Sequence, residues 1–259
     1  MAEIALAAVA AVTAEVAAAV LARQSTGFRR WEKAPGDPVS EIDLMADAML
    51  AERLRALDPA AGWLSEETAD DPSRLTCERV WVVDPIDGTR DYLRGRPGWC
   101  VSVALVEAGR PVLGVLAAPS RGELWTCAAG QGAWRNGEPV RCSKRSEWAG
   151  ARMPADTLPE GSELVAVAKP NSIALRLAMI AAGEADVLVA KRWGSEWDVA
   201  AAALLVAEAG GVVTDAHGEP LRFNQQVPRA FGLAASGAEL HGVAVGRLIE
   251  YGSTPRTSD

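Results

Sequence analysis

The nine residues Trp81-Val82-Val83-Asp84-Pro85-Ile86-Asp87-Gly88-Thr89 constrain this chain more than any other stretch. Residues 80–83 read as a buried strand, by their length and β-branched content. The strand delivers Asp84 at its C-terminal end, Pro85 forces a turn, and Asp87 returns near Asp84. Two carboxylates so close repel each other unless a cation sits between them. Oxygen ligands of this kind suit Mg²⁺ or Mn²⁺ rather than Zn²⁺. The N–H groups of Gly88 and Thr89, at a helix start, can receive phosphate oxygens, and Gly88 lets the backbone approach closely. A bare D-x-x-D-G reads more readily as a helix cap with turn residues, so its meaning depends on the rest of the chain.

A chain of 259 residues can bury a sizeable core, as one large domain or two closely packed ones. The net charge of -8 repels a nucleic-acid polymer or an anionic membrane, so neither is an expected partner. A small anionic substrate is compatible, because a bound divalent ion reverses the local sign of an acidic pocket. Cys77, Cys100, Cys127 and Cys142 show no C-x-x-C spacing and stand far from His217 and His241, which argues against a zinc site. Reduced cysteines in a cytoplasmic protein are the plain reading. The alanine-rich N-terminus has no basic n-region and is interrupted by Glu3, Thr13 and Glu15. Alanine is too weakly apolar for a good membrane span, so a packed amphipathic helix is expected there.

That helix is expected to end near Gly27, with a polar, turn-prone stretch over 31–38 after it. Ser40 then looks like the N-cap of a second helix to about Leu57. After the strand at 80–83 a meander follows: strands at 101–106, 112–117, 124–127 and 132–135, with Asn136-Gly137 as a hairpin signal. The polar region 143–163 is the candidate boundary between two halves. Beyond it, a strand at 164–168, a helix at 173–182, a strand at 185–189, a helix at 199–209 and a strand at 211–214 alternate as in α/β proteins.

Three further segments carry acids, each ambiguous alone. Ser65-Glu66-Glu67 reads as a solvated loop, and Asp198 in Glu196-Trp197-Asp198-Val199-Ala200-Ala201 as the N-cap of the following helix. Asp43 in Pro38-Val39-Ser40-Glu41-Ile42-Asp43 completes a capping-box pattern. In this order, with the nine-residue segment between them, the chain resembles the inositol monophosphatase superfamily of lithium-sensitive, magnesium-dependent phosphatases over nearly its whole length. The resemblance implies an α/β, layered α/β/α/β/α sandwich of the sugar-phosphatase type. Residues 1–145 would form an antiparallel-rich half with the metal motif, and 146–259 an α/β half with the substrate-specificity elements. It also implies that Glu66, Asp84, Asp87, Asp198 and the Ile86 carbonyl hold two or three Mg²⁺ ions, with Mn²⁺ as a substitute. Thr89 paired with Asp43 would orient or deprotonate the attacking water, and the Gly88 and Thr89 amides would receive phosphoryl oxygens. Relatives are commonly dimeric, although no segment here identifies an interface.

Substrate is expected to be a small phosphorylated metabolite. Three details resemble the 3'(2'),5'-bisphosphate nucleotidase branch: Leu64-Ser65-Glu66-Glu67 followed by Asp70-Asp71, Glu196 directly before Trp197-Asp198, and Gly218-Glu219-Pro220-Leu221-Arg222-Phe223-Asn224. Lys191 lies where the inositol-specific branch would place a ring-contacting Glu, and a cation there fits a second phosphate. Lys191 and Glu196 are therefore expected substrate contacts, with Lys169 and Ser172 as weaker candidates in a compressed segment, 149–177. Trp193 is a candidate for stacking on a base. An inositol-1-phosphate or other sugar phosphatase is the alternative. A non-catalytic relative that binds a phosphometabolite is a third reading, against which the intact set of repelling acids speaks.

Overall fold

The structure is a computed structural model that describes residues 4–253. The chain runs α1 (Leu6–Arg23), the hairpin β1 (Arg30–Ala34) and β2 (Asp37–Ser40), α2 (Glu41–Leu57), β3 (Gly62–Ser65), β4 (Arg79–Asp87) and the short α3 (Thr89–Leu93). A meander follows: β5 (Cys100–Glu107), β6 (Arg110–Ala118), β7 (Glu123–Ala128), β8 (Ala133–Arg135) and β9 (Glu138–Pro139). The second half holds β10 (Arg152–Pro154), β11 (Val165–Val167), α4 (Ile173–Ala181), β12 (Val187–Ser195), α5 (Glu196–Glu208), β13 (Gly211–Thr214), β14 (Arg229–Gly237) and α6 (Ala238–Ser253).

Strands β3 to β9 form one sheet in chain order, parallel at β3–β4 and antiparallel thereafter. Asn136 and Gly137 both take positive φ, 52° and 83°, which supplies the hairpin between β8 and β9. Strand alternation then divides the core. Trp81, Val83, Val101 and Val103 face α1 and α2, whereas Val80, Val82, Cys100 and Ala104 face α4 and α5. Helix α1 is long and apolar enough to cross a membrane by length and composition. Its Val9, Thr13, Val16 and Val20 recur at helical spacing and are buried against the sheet.

A second sheet, in the order β12-β14-β13, lies beyond α4 and α5, and α6 covers its outer side through Leu240, Ala244 and Leu248. The result is the layered α/β/α/β/α sandwich. One apolar cluster joins Val82 and Trp125 of the first half to Leu188 and Ala235 of the second, with α4 and α5 between them.

The C-terminal sheet differs from the alternating expectation, because both of its pairings are antiparallel. Strand β14 carries no β-branched residue in Arg-Ala-Phe-Gly-Leu-Ala-Ala-Ser-Gly, and α6 contains Gly242 and Gly246, so neither announces itself by composition. The stretch 31–38 is not a loop but most of the β1–β2 hairpin, and α1 stops at Arg23, short of Gly27.

Helix α5 crosses β6 at Gly114, where an added Cβ would lie 2.8 Å from the Ala201 carbonyl oxygen and 2.9 Å from Cys127 Sγ. Because α5 also carries Asp198, this contact sets the separation between sheet and cleft. Gly114→Ala is expected to destabilise the fold by ~1–3 kcal/mol through overpacking. Urea denaturation checks it, and an unchanged midpoint would contradict the close approach.

Candidate active site

The pairing of β4 with β5 breaks register where the two aspartates stand. Asp84 is opposite Ser102 and Asp87 opposite Cys100, so three steps along β4 match two along β5. In a regular strand residues three apart face opposite sides; the extra residue of this bulge puts both carboxylates on one cavity. Asp84 Oδ1 accepts the Ile86 N–H at 3.0 Å across Pro85. Asp87 caps a helix, but not the adjacent one: it accepts Ser172 Oγ at 2.5 Å and the Ala174 N–H at 2.7 Å, at the start of α4. Gly88 itself caps α3 with φ +97°, and a Cβ there would lie 2.7 Å from the Gly98 carbonyl oxygen. That position requires glycine.

Two other acids are aimed by a shared device, Asp198 onto the cavity and Asp43 onto Thr89. Ser40 caps α2 and Ser195 caps α5, each in a capping box whose third helical residue is an aspartate, Asp43 and Asp198. Helix α5 therefore starts at Glu196, three residues earlier than expected, with Asp198 inside it rather than at its cap. Asp43 Oδ2 accepts Ser40 N–H at 2.8 Å, and Asp43 Oδ1 lies 3.3 Å from Thr89 Oγ1. Thr89 Oγ1 also donates to the Ile86 carbonyl at 3.0 Å.

Glu66 stands at the end of β3 and lines the same cavity of about 470 Å³ as Asp84, Ile86, Asp87, Gly88, Thr89 and Asp198. Lys33, on β1, reaches over it: its Nζ lies 2.7 Å from Glu66 and 3.0 Å from Glu67. Burial first, then the charges of Glu66, Asp87 and Asp198, push the Asp84 carboxyl well above the ordinary range. Burial and then Asp87 push Asp198 up to about 8. Asp87 rises less, to about 6, because Ser172 and the α4 amides stabilise its anion against the effect of burial.

Not every expected contact lies in this cavity. Lys191 lines a groove with Trp148, Met153 and Arg247 instead, and the neighbouring Arg192 lines the acid cavity. Adjacent residues of a strand face opposite sides, so Lys191 and Arg192 part company at this point of β12. Lys169 pairs with Asp156 beside a different cavity, while Asn171 and Arg176 line the acid cavity. Glu196 is not free for substrate: its two oxygens accept the N–H groups of Asn224 at 2.6 Å and Gln225 at 3.0 Å. The sequence marks neither Lys33 nor Arg176 as a cavity residue; the one available signal is Arg176, a lone charge in an otherwise apolar helix.

The three branch-like details prove to be one network. Arg74, only 1% exposed, is bidentate to Asp70 at 2.6 and 2.9 Å and donates to Asn224 Oδ1 at 2.6 Å and the Gln225 carbonyl at 2.9 Å. Glu196 holds the same two residues from the other side. The acidic loop after Glu66, the helix that bears Asp198 and the segment 218–225 are thereby tied together.

The cavity offers five carboxylates, those of Asp37, Glu66, Asp84, Asp87 and Asp198, with the Ile86 carbonyl and no Cys or His, a donor set that fits a hard divalent ion. Among the described residues no three acidic, Cys or His side chains converge tightly on one point. Glu66 is held by Lys33 and Asp87 by α4, so loading would turn Glu66 off Lys33. The inositol monophosphatase family model matches residues 1–250. The chain belongs to the inositol monophosphatase family. It is 32% identical to inositol monophosphatase 2 of Solanum lycopersicum over 233 residues, 83% of this chain and 86% of that protein. It is 37% identical to the Nus factor SuhB of Xylella fastidiosa over 202 residues, 72% of each. Among solved structures, the Thermotoga maritima IMPase superposes with a TM-score of 0.80 at 27% identity, covering 93% of this chain and 95% of that one. The extragenic suppressor protein suhB of Bartonella henselae gives 0.78 at 27% identity, covering 92% and 95%. Membership of this metal-dependent family, typically Mg²⁺-loaded, makes the chain a phosphatase of small phosphorylated substrates.

The raised carboxyls of this inositol monophosphatase relative fix the sign of its pH response. Protonated Asp87 and Asp198 support the metal-free fold below the ordinary value of 3.8, and that support is lost as pH rises through about 6 and about 8. Scanning calorimetry in EDTA is expected to show Tm falling from about pH 5 to about pH 8, and Mg²⁺ is expected to raise Tm most at the upper end. A Tm that climbs over that window without metal would contradict the cluster's electrostatics.

Proposed function

We propose that this phosphatase is Mg²⁺-dependent and removes the 3'-phosphate of adenosine 3',5'-bisphosphate to leave AMP. The observation that carries the phosphatase chemistry is the convergence of Glu66, Asp84, Asp87 and Asp198 on one cavity beside Asp43 and Thr89. Glu66, Asp84, Asp87, Asp198 and the Ile86 carbonyl would hold two or three ions. Bound Mg²⁺ would supply a water of lowered pKa and neutralise phosphoryl charge. Thr89, polarised by Asp43 at 3.3 Å, orients the water and passes its proton towards the buried carboxylate. The Gly88 and Thr89 N–H groups receive phosphoryl oxygens at the mouth of α3. No Ser, Cys or His nucleophile is needed.

The bisphosphate substrate is supported by the Asp70–Arg74–Asn224–Glu196 network, whose parts are the branch-like sequence details. It is supported also by an apolar recess of about 150 Å³ that shares Ile173, Arg192, Ser195 and Asp198 with the acid cavity. A polyol would present hydroxyls to that wall without partners. The alternative, hydrolysis of inositol 1-phosphate, is favoured by relatives named inositol monophosphatase at 32% to 36% identity.

Phosphate release from adenosine 3',5'-bisphosphate, inositol 1-phosphate, histidinol phosphate and fructose 1,6-bisphosphate in Mg²⁺, with and without Li⁺, separates these readings. Much faster turnover of inositol 1-phosphate would refute the nucleotidase assignment. Asp84→Asn is expected to lower kcat by on the order of 10³-fold while leaving the fold intact. By removing a buried, repelled carboxyl it is also expected to raise the metal-free Tm. Retained activity in that variant would refute the metal-ligand role.

A further inference from the structure

A bulge in β12 sets the side on which Trp193 stands. Ala190 is opposite Leu233 and Trp193 opposite Phe231, so three steps on β12 match two on β14. The extra residue returns Trp193 to the side of Ala190, and both line the apolar recess, whereas Lys191 lines the groove beside Trp148. Trp193 is 59% exposed, which no core role explains. Its ring meets Phe231 at 5.4 Å between centroids, and the Arg229 guanidinium lies 6.0 Å over it. Arg192 is exposed, lines both recess and acid cavity, and forms no ion pair among the described residues.

We propose that Arg192 and Trp193 are the specificity-determining residues of this phosphatase, selecting a leaving group that carries a flat ring and a second anionic group. Deepening the reading above, it rests on the phosphatase chemistry placed there. With the scissile phosphate among the acids, a ring that enters the recess passes Arg192 and meets the Trp193 face. The guanidinium is the unpaired cation at that junction and matches a second phosphate or carboxylate in charge and fork geometry. The Trp193 face, already polarised by Arg229, stacks on a planar ring without demanding hydrogen bonds. A polyol with neither a planar ring nor a second anion gains neither contact.

Four phosphates separate the two roles: adenosine 3',5'-bisphosphate (ring and second anion), adenosine 2'-monophosphate (ring only), fructose 1,6-bisphosphate (second anion only) and inositol 1-phosphate (neither). In Arg192→Met, kcat/KM for the two bisphosphates relative to inositol 1-phosphate is expected to fall by on the order of tenfold, through KM. In Trp193→Ala, the ratio for the two adenosine phosphates is expected to fall by roughly threefold to tenfold. AMP binding, by calorimetry on the Mg²⁺-loaded enzyme, needs no turnover and is expected to weaken in both variants. Selectivity ratios and AMP affinity that match wild type would overturn the proposal. Wild-type preference for inositol 1-phosphate would instead overturn the nucleotidase assignment, and the variants' AMP affinity would still decide whether Arg192 and Trp193 bind the group.

Discussion

Like charges crowded out of water are the constraint to which the structure answers. Asp43 and Asp84 are each 1% exposed, and burial raises the carboxyls of both, as it does those of Asp87 and Asp198. A cluster of this kind opposes folding unless each member is anchored by something that does not move. Here each of the four has at least one backbone anchor. Asp84 takes an amide within its own turn, Asp87 takes the amides that open α4, and Asp43 and Asp198 close capping boxes on α2 and α5. The readings of these acids as helix caps and as cleft acids are therefore not rivals. Capping aims the side chain, and a helix mouth also provides positive potential that moderates the repulsion.

The layering follows from that arrangement. Acids on β3, β4, α2 and α5 can meet only if the helices pack on opposite faces of one sheet near the same strand ends. The large sheet does this by alternation, with Trp81 and Val83 towards α2 and Val80 and Val82 towards α5. Glycine at 114 lets α5 approach closely. Arg74 then locks the loop after Glu66 to the segment that Glu196 holds, so Glu66 and Asp198 share one rigid frame.

Local chemistry was legible in the sequence, and parity was not. Ser40 as a cap, the Asn136-Gly137 turn and the strand into Asp84 can all be read because each depends on neighbours in the chain. Trp193 returns to the side of Ala190 only because one residue is inserted into a strand pairing, and nothing within β12 marks the insertion. Glu196 was read as a ligand contact because its partners, the amides of Asn224 and Gln225, are 28 and 29 residues away. Strand β14 escaped because small residues and Gly232 suit a strand packed tightly on both sides, with Ala234 and Ala235 fully buried, yet carry no β propensity.

The net charge of -8 says little about the cleft, because cations are placed where the acids need them. Lys33 comes from a strand exposed along its whole length, Arg176 from inside α4 and Arg192 from a bulge. Arg176 donates to the Pro170 and Asn171 carbonyls and fixes the turn that presents Ser172 to Asp87, so its part is positional. Lys33 neutralises Glu66 and Glu67 from an element with little packing to hold it, and burial first among its influences works against that charge while the two glutamates favour it. The acids thus stand on rigid helix starts and a central strand, whereas Lys33 and Arg192 stand on a lightly packed hairpin and an irregular strand. Residues at the edges of this frame can in this way change with the buried carboxylates left as they are.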